Sequence, residues 1–142
     1  VDLQPEEDPD LMNELRKNGI DLIRLVAPTT NVDRLKTILS NASGFLYYVT
    51  ITGITGQKSA DMDELKKSIS EIRKYTSLPI VAGFGIKNKD HVKEICKFAD
   101  GAVVGSSIVK IIEENINDTN KMSRIIDNFS KDLKSGTILW TG

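Results

Sequence analysis

Four short apolar segments, separated by longer stretches of helical periodicity, limit what this chain can fold into. They cover residues 22–27, 44–51, 79–82 and 101–104. Each is a nearly continuous apolar run, rich in β-branched or aromatic residues, of the kind that forms strands. Runs of this type are typical of parallel strands buried on both faces by helices. The sequence therefore predicts a strand at each of these four positions.

Helical patterns lie before, between and after the predicted strands. We predict helices over residues 5–18, 31–41, 61–76, 88–98, 106–115 and 119–134. Asn31 and Asn88 are suited to N-caps, and Gly19 is suited to a C-cap. Strands that alternate with helices in this way form parallel sheets joined by helical crossovers.

Such a sheet is either open and doubly wound or closed into a (β/α)8 barrel. A whole barrel takes about 250 residues, and this chain has 142 residues. Four strands, together with Val1-Asp2-Leu3 as the end of a preceding strand, make about half of one. We expect this partial barrel to occupy residues 1–134, and residues 135–142 to be a tail that is non-native or disordered.

Composition argues against several classes of protein. Lys and Arg total 19 and Asp and Glu total 20, so the chain lacks the positive charge of a general nucleic-acid binder. One Cys and one His exclude an internal disulfide and a Cys- or His-rich metal site. No apolar run approaches the roughly 18 residues of a membrane span, and residues 4–10 are too acidic for a signal peptide. We expect a cytoplasmic protein with no metal site.

Glycines follow three of the predicted strands, where the backbone could approach a ligand closely. The segments are TGITG at 52–56, Gly83-Phe84-Gly85, and Gly105-Ser106-Ser107. The last of them begins a helix, and the free N–H groups of a helix N-terminus bind anions. In (β/α)8 enzymes a phosphate often lies at the loops after the last two strands. The spacing therefore predicts a phosphorylated small-molecule ligand.

At these segments the chain resembles the C-terminal half of the tryptophan synthase alpha subunit family. The resemblance rests on DLQPEE at 2–7, LVAPTT at 25–30, GFLYYV at 44–49, TGITG at 52–56, LPIVAGFGI at 78–86 and DGAVVGSSIVK at 100–110. One departure is Gln4, which replaces the first of two prolines in the family pattern. The resemblance implies an α/β fold, the C-terminal half of a TIM barrel from the end of strand 4 to helix 8.

The resemblance also implies a function. The family cleaves indole-3-glycerol phosphate to indole and glyceraldehyde 3-phosphate, a retro-aldol reaction of L-tryptophan biosynthesis. Indole passes to the beta subunit in an alpha2beta2 complex. Pyridoxal phosphate belongs to that beta subunit, so no cofactor is expected in this chain.

Matching positions assign roles to individual residues. Phosphate-binding positions, including the neighbouring wall, are Gly83, Phe84, Gly85, Gly105, Ser106 and Ser107, with Ser106 or Ser107 supplying a hydroxyl. Tyr47 matches a residue of the indole pocket. Thr55 and Gly56 lie on a loop that closes over the substrate in the family.

No catalytic residue is expected in this chain. The two catalytic carboxylates of the family lie on earlier strands, and the acids present here fall on predicted helix surfaces. We therefore expect the chain alone to be inactive. His91 is interpreted as a surface residue, Cys96 as a partly buried thiol and Asp100 as a turn residue.

Two alternatives stay open. The chain could belong to another phosphate-binding barrel enzyme, such as a ribulose-phosphate epimerase type or an indole-glycerol-phosphate synthase relative, although the 52–56 motif fits these poorly. It could also be an inactive half-barrel that associates with a partner chain or with itself, because a half-barrel has two unpaired strand edges.

Overall fold

In the part of the chain that the structure describes, ten helices and strands follow one another in the predicted order. A computed structural model describes residues 9–49, 58–83 and 85–137. In chain order the elements are α1 (Pro9–Lys17), β1 (Arg24–Val26), α2 (Val32–Leu39), β2 (Leu46–Val49), α3 (Lys58–Ile72), β3 (Ile80–Gly83), α4 (Lys89–Ile95), β4 (Gly101–Val103), α5 (Ser106–Glu114) and α6 (Thr119–Ser135). Across these described ranges, no helix combines the length and apolarity needed to cross a membrane.

The four strands form one parallel sheet in the order β1-β2-β3-β4. Each strand therefore pairs with the next strand in the chain, and a helix makes each crossover. This is the arrangement of half a (β/α)8 barrel, and the expected fold is confirmed. The carboxyl ends of all four strands lie at the same edge of the sheet.

The two faces of the sheet differ in burial. Helix-facing side chains are almost inaccessible, with Leu46 and Ile80 at 0% and Tyr48 at 2% exposure, and they pack in one cluster with residues of α2, α3 and α4. The opposite face carries half-buried side chains, and we call it the open face; its residues are Leu25, Tyr47, Val49, Val81, Gly83, Gly101 and Val103.

The prediction that the strands are buried on both faces is therefore wrong for this chain. In a closed barrel, side chains from strands all around the ring fill the interior. Four strands form only part of that ring, and helices α2, α3, α4 and α6 pack against the outer face. The side chains of the open face consequently remain partly accessible.

The predicted helix caps are confirmed. The Asn31 side chain accepts a hydrogen bond from the Arg34 N–H at 2.9 Å, and the Asn88 side chain accepts one from the His91 N–H at 3.0 Å. Gly19 has a φ of +63°, the left-handed conformation that glycine adopts without strain after a helix. These local signals fix where α2 and α4 begin and where α1 ends.

Helix α3 begins three residues before and ends four residues before the predicted bounds of 61–76. After Ile72 the chain continues as a tighter turn, in which the N–H of Lys74 bonds to the Glu71 carbonyl and that of Tyr75 to the Ile72 carbonyl. The helix stops because these i to i−3 bonds replace helical ones before Leu78-Pro79. At the other end of the chain, α6 runs to Ser135, while residues 138–142 lie outside the described part, so the predicted boundary at 134 stays a prediction.

Asp100 is more than the turn residue predicted. Its Oδ2 accepts from the Ile80 N–H at 2.7 Å and from Arg73 Nη2 at 2.6 Å. Its own N–H donates to the Ile80 carbonyl at 2.8 Å. Asp100 therefore joins the starts of β3 and β4 to the end of α3, at the edge opposite the carboxyl ends of the strands.

Candidate functional site

The glycine segments after β3 and β4 lie side by side at the carboxyl edge of the sheet. Because the strands are parallel neighbours, Gly83 is paired with Val103, two residues before Gly105. Ligands of α/β proteins bind outside the carboxyl ends of the strands. The fold thus brings together the two segments from which the sequence predicts an anion site.

A hydrogen bond joins the two segments directly. The Ser107 Oγ donates to the backbone carbonyl of Ile86 at 2.8 Å. Ile86 is 2% exposed and belongs to the main apolar cluster, so its carbonyl has a fixed position. The bond therefore ties the first turn of α5 to the segment that follows Gly85.

Gly105 is the N-cap of α5, and its surroundings are suited to an anion. Its carbonyl accepts from the N–H groups of Ile108 and Val109, while the amides of Ser106 and Ser107 precede the first intrahelical bond. No acidic side chain lies in the first turn of α5. A Cβ built at Gly105 would meet nothing within 4 Å, so the space beside the helix N-terminus is open. The positive end of the helix dipole favours negative charge there.

Gly83 and Gly85 shape the other side of this site. Gly85 is exposed and has a φ of +56°, a conformation that other residues adopt only with strain. A Cβ at Gly83 would lie 2.5 Å from the Tyr47 Oη. The structure therefore places Tyr47, the predicted pocket residue, against the end of β3 on the open face.

The remaining residues singled out in the sequence are either not described by the structure or lie on α4. Phe84, Thr55 and Gly56 lie outside the described residues, so their roles stay predictions. Cys96 caps the end of α4 and is half-buried, as expected, and burial raises the pKa of its thiol. His91 lies in the first turn of α4 and is half-buried, so part of its side chain lies at the surface.

A separate groove of about 340 Å³ lies on the helix-covered side of the sheet. It is formed by the segment after β1 and by parts of α2 and α3, and it includes the helix-facing residues Val26 and Tyr48. No predicted site residue lines it. The groove is therefore distinct from the anion site at the carboxyl edge.

The sequence left open which serine would supply a hydroxyl to the anion. The structure separates them, because the Ser107 proton is donated to Ile86 whereas the Ser106 side chain is exposed. The two serines are consecutive members of one motif, and nothing in the motif predicts the carbonyl 21 residues away.

Comparison with known proteins identifies relatives over almost the whole chain. The family described as "Tryptophan synthase alpha chain" matches residues 1–137. The tryptophan synthase alpha chain of Methanocaldococcus jannaschii is 47% identical over 121 residues, which is 85% of this chain and 43% of that protein. That of Petrotoga mobilis is 44% identical over 133 residues, which is 94% of this chain and 52% of that protein. This chain thus spans about half the length of these relatives.

A solved structure has the same fold over a similar range. The crystal structure of tryptophan synthase subunit alpha from Legionella pneumophila strain Paris superposes with a TM-score of 0.81 at 29% sequence identity. The match covers 96% of this chain and 49% of the Legionella chain.

Proposed function

The chain belongs to the tryptophan synthase alpha chain family, and on that premise we propose that it supplies the phosphate-binding half of the enzyme's barrel. The family places it among the lyases of L-tryptophan biosynthesis. The reaction proposed for the whole protein is the retro-aldol cleavage of indole-3-glycerol phosphate to indole and glyceraldehyde 3-phosphate. The observation that carries the proposal is the contact between the segments after β3 and β4, at the N-terminus of α5.

The phosphate is proposed to lie beside Gly105, in the open space at the start of α5. Backbone amides of Ser106 and Ser107, together with the exposed Ser106 hydroxyl, are suitable donors. Hydrogen bonds to an ionised oxygen are about twice as strong as neutral ones. The left-handed Gly85 turn would bring backbone donors to the same anion from the β3 side.

Tyr47 is proposed to lie along the indole ring. Its phenol contacts the end of β3 on the open face, which is the side of the sheet that forms a barrel interior. Thr55 and Gly56 are proposed to belong to the loop that closes the site, a common role of the loops after barrel strands.

Catalysis is proposed to need residues outside this half. A retro-aldol cleavage requires an acid that protonates the indole ring and a base that takes a proton from the glycerol hydroxyl or the indole nitrogen. The acids on α4, α5 and α6 are exposed on helix surfaces, away from the strand ends. The chain alone should therefore bind the phosphorylated ligand without cleaving it.

The proposal extends to partners and location. We expect the whole protein to act with a tryptophan synthase beta subunit, which would hold pyridoxal phosphate, in an alpha2beta2 complex in the cytoplasm. The alpha chain itself should require no cofactor. The support is membership of the family, together with solved relatives described as tryptophan synthase.

Isothermal titration calorimetry with glycerol 3-phosphate and with indole-propanol phosphate tests the site. We expect both ligands to bind, and Gly105→Val to abolish binding by filling the space beside the amides. The φ of Gly105 is −113°, outside the left-handed region that favours glycine, and a Cβ there meets no atom within 4 Å, so the variant should still fold. Ser77→Val, an exposed substitution just before β3 at the opposite edge, is the matched control.

Two outcomes would overturn the proposal. Absence of binding by the folded chain would refute the phosphate site, and unchanged affinity in Gly105→Val would place the site elsewhere. An assay for indole released from indole-3-glycerol phosphate should detect none from the chain alone. Turnover by the chain alone would refute the assignment of the acid and base to the other half.

A second candidate function, self-association through the open face, is favoured by the half-exposed Leu25, Val81 and Val103. Apolar side chains that share an uncovered sheet face promote contacts between chains. Sedimentation equilibrium should then give a mass above that of one chain. A mass of one chain would rule this candidate out.

A further inference from the structure

We propose that Ser107 is a positioning residue of the phosphate site, which holds the N-terminus of α5 against the segment after β3 and does not itself bind the phosphate. This inference rests on the proposed function. It deepens that function, because it assigns different tasks to two consecutive serines that the motif presents as equivalent.

The hydroxyl group of Ser107 is already engaged in a hydrogen bond within the chain. A serine hydroxyl carries a single proton. In Ser107 this proton is donated to the Ile86 carbonyl at 2.8 Å, in a half-buried position. It is therefore not available to a phosphate oxygen unless that bond breaks. The Ser106 side chain is exposed and remains suited to the ligand.

The Ser107 hydrogen bond lies close to both backbone segments that are proposed to bind the anion. On one side, Ile86 follows the left-handed Gly85, and its side chain is anchored in the core at 2% exposure. On the other side, Ser107 follows Gly105 and Ser106 directly. The bond therefore lies within two residues of each set of backbone donors and fixes the distance between the two sets.

The distance between the two sets of backbone donors affects how strongly they bind an anion. An anion held by both segments needs donors at about 2.7–3.1 Å on each side. When the spacing of the donors is fixed before the ligand binds, the binding free energy is not reduced by the entropy cost of ordering the two segments. Without the Ser107 bond, α5 and the Gly85 turn would vary in separation, and affinity for the anion would fall by about three- to tenfold.

The test compares Ser107→Ala, Ser107→Thr and Ser106→Ala in the same chain. Affinity for glycerol 3-phosphate is measured by calorimetry. The amide shift of Lys87 is measured by NMR without ligand, because an amide responds to the hydrogen bond on the carbonyl that precedes it. We expect Ser107→Ala to bind three- to tenfold more weakly and to shift the Lys87 amide. Ser107→Thr, which keeps the hydroxyl, should restore both. Ser106→Ala should weaken binding and leave the Lys87 amide unchanged.

Each other outcome overturns the inference. If Ser107→Ala weakens binding while Lys87 stays unshifted, Ser107 is a direct ligand. If it lowers the melting temperature without changing affinity, its role is purely structural. If the unmodified chain does not bind glycerol 3-phosphate, the proposed function fails together with the inference about Ser107. In the first two outcomes the unmodified chain still binds, so only the inference about Ser107 fails. Should Ser107→Ala not fold, Ser107→Cys gives the same comparison, because a thiol keeps the size of the side chain and bonds weakly.

Discussion

Gly136, at the end of α6, has no room for a side chain, and its replacement by alanine tests how α6 docks. The residue is buried and follows Ser135, the last residue of the helix. A Cβ built on it would overlap the backbone carbonyl oxygen of Lys89, at the start of α4. Backbone atoms cannot swing aside as a flexible side chain can, so α6 and α4 would have to separate.

Two opposing effects determine how Gly136→Ala changes the free energy of unfolding. The φ of Gly136 is −79°, which alanine adopts readily, so Gly136→Ala should stabilise by about 0.4–1 kcal/mol through the unfolded chain alone. Overpacking of a close contact costs about 1–3 kcal/mol, occasionally more. Because the overlap is with backbone, we take the upper part of that range and expect a net loss of about 2 kcal/mol.

Urea unfolding followed by circular dichroism measures the change. With a slope of about 2 kcal/mol per molar urea, the midpoint should fall by about 1 M. Two other glycines are controls of graded severity. In Gly105→Ala the added Cβ meets no atom within 4 Å, and the gain of about 0.4–1 kcal/mol through the unfolded chain is offset because alanine is a poorer N-cap than glycine, so the midpoint should stay almost unchanged. Gly83→Ala meets the movable Tyr47 phenol, and its midpoint should lie between those of the other two variants. Equal midpoints for Gly136→Ala and Gly105→Ala would refute the reasoning.

Three further predictions concern the sheet and its buried groups. Leu46→Ala should lower the free energy of unfolding by about 2–5 kcal/mol, because Leu46 is 0% exposed, whereas Leu25→Ala on the open face should lower it clearly less. Similar losses for the two variants in urea unfolding would contradict the burial of only one face of the sheet. Burial raises the pKa of both the Tyr48 phenol and the Cys96 thiol, so the folded chain retains protons that the unfolded chain releases. The contribution of these two groups to the free energy of unfolding should therefore be complete below their ordinary pKa values and be lost as the pH rises through the raised values. Urea midpoints measured from pH 7 to about 11 should decline, and the decline should be shallower in Tyr48→Phe. An equal decline in both proteins would exclude Tyr48 as a cause. Asp100→Ala should cost about 1 kcal/mol, because the β3 amide loses the carboxylate that accepts its proton; an unchanged melting temperature would show that water replaces the carboxylate at no cost.

The sequence predicted most of the fold because the signals concerned are local. Strand positions follow from short apolar runs, and helix starts follow from capping residues such as Asn31 and Asn88, whose partners lie three residues away. The order of the elements and the parallel sheet then follow from the alternation of strands and helices. The less accurate predictions were the ends of α3 and α4, where tighter turns compete with the helix over residues 73–75 and 97–98.

The candidate site was predictable in part. Glycines after two successive strands indicated that two backbone segments would meet at the carboxyl edge, and the structure places them in contact. Which hydroxyl holds the segments together was not predictable, because the motif contains two adjacent serines. The hydrogen-bond partners of Asp100 could not be predicted either, because Arg73 lies 27 residues and Ile80 lies 20 residues before it in the chain.

The sequence by itself determined the elements, their order and their caps, since each depends on residues within a few positions of one another. Only the tertiary structure decided that one face of the sheet stays half-exposed, that Ser107 bonds to Ile86, and that Gly136 lies against Lys89. These features depend on distances between segments far apart in the chain. Such distances are set by the packing of helices on strands. They cannot be predicted from the hydrophobic periodicity or the secondary-structure propensities of the sequence, which depend on neighbouring residues only.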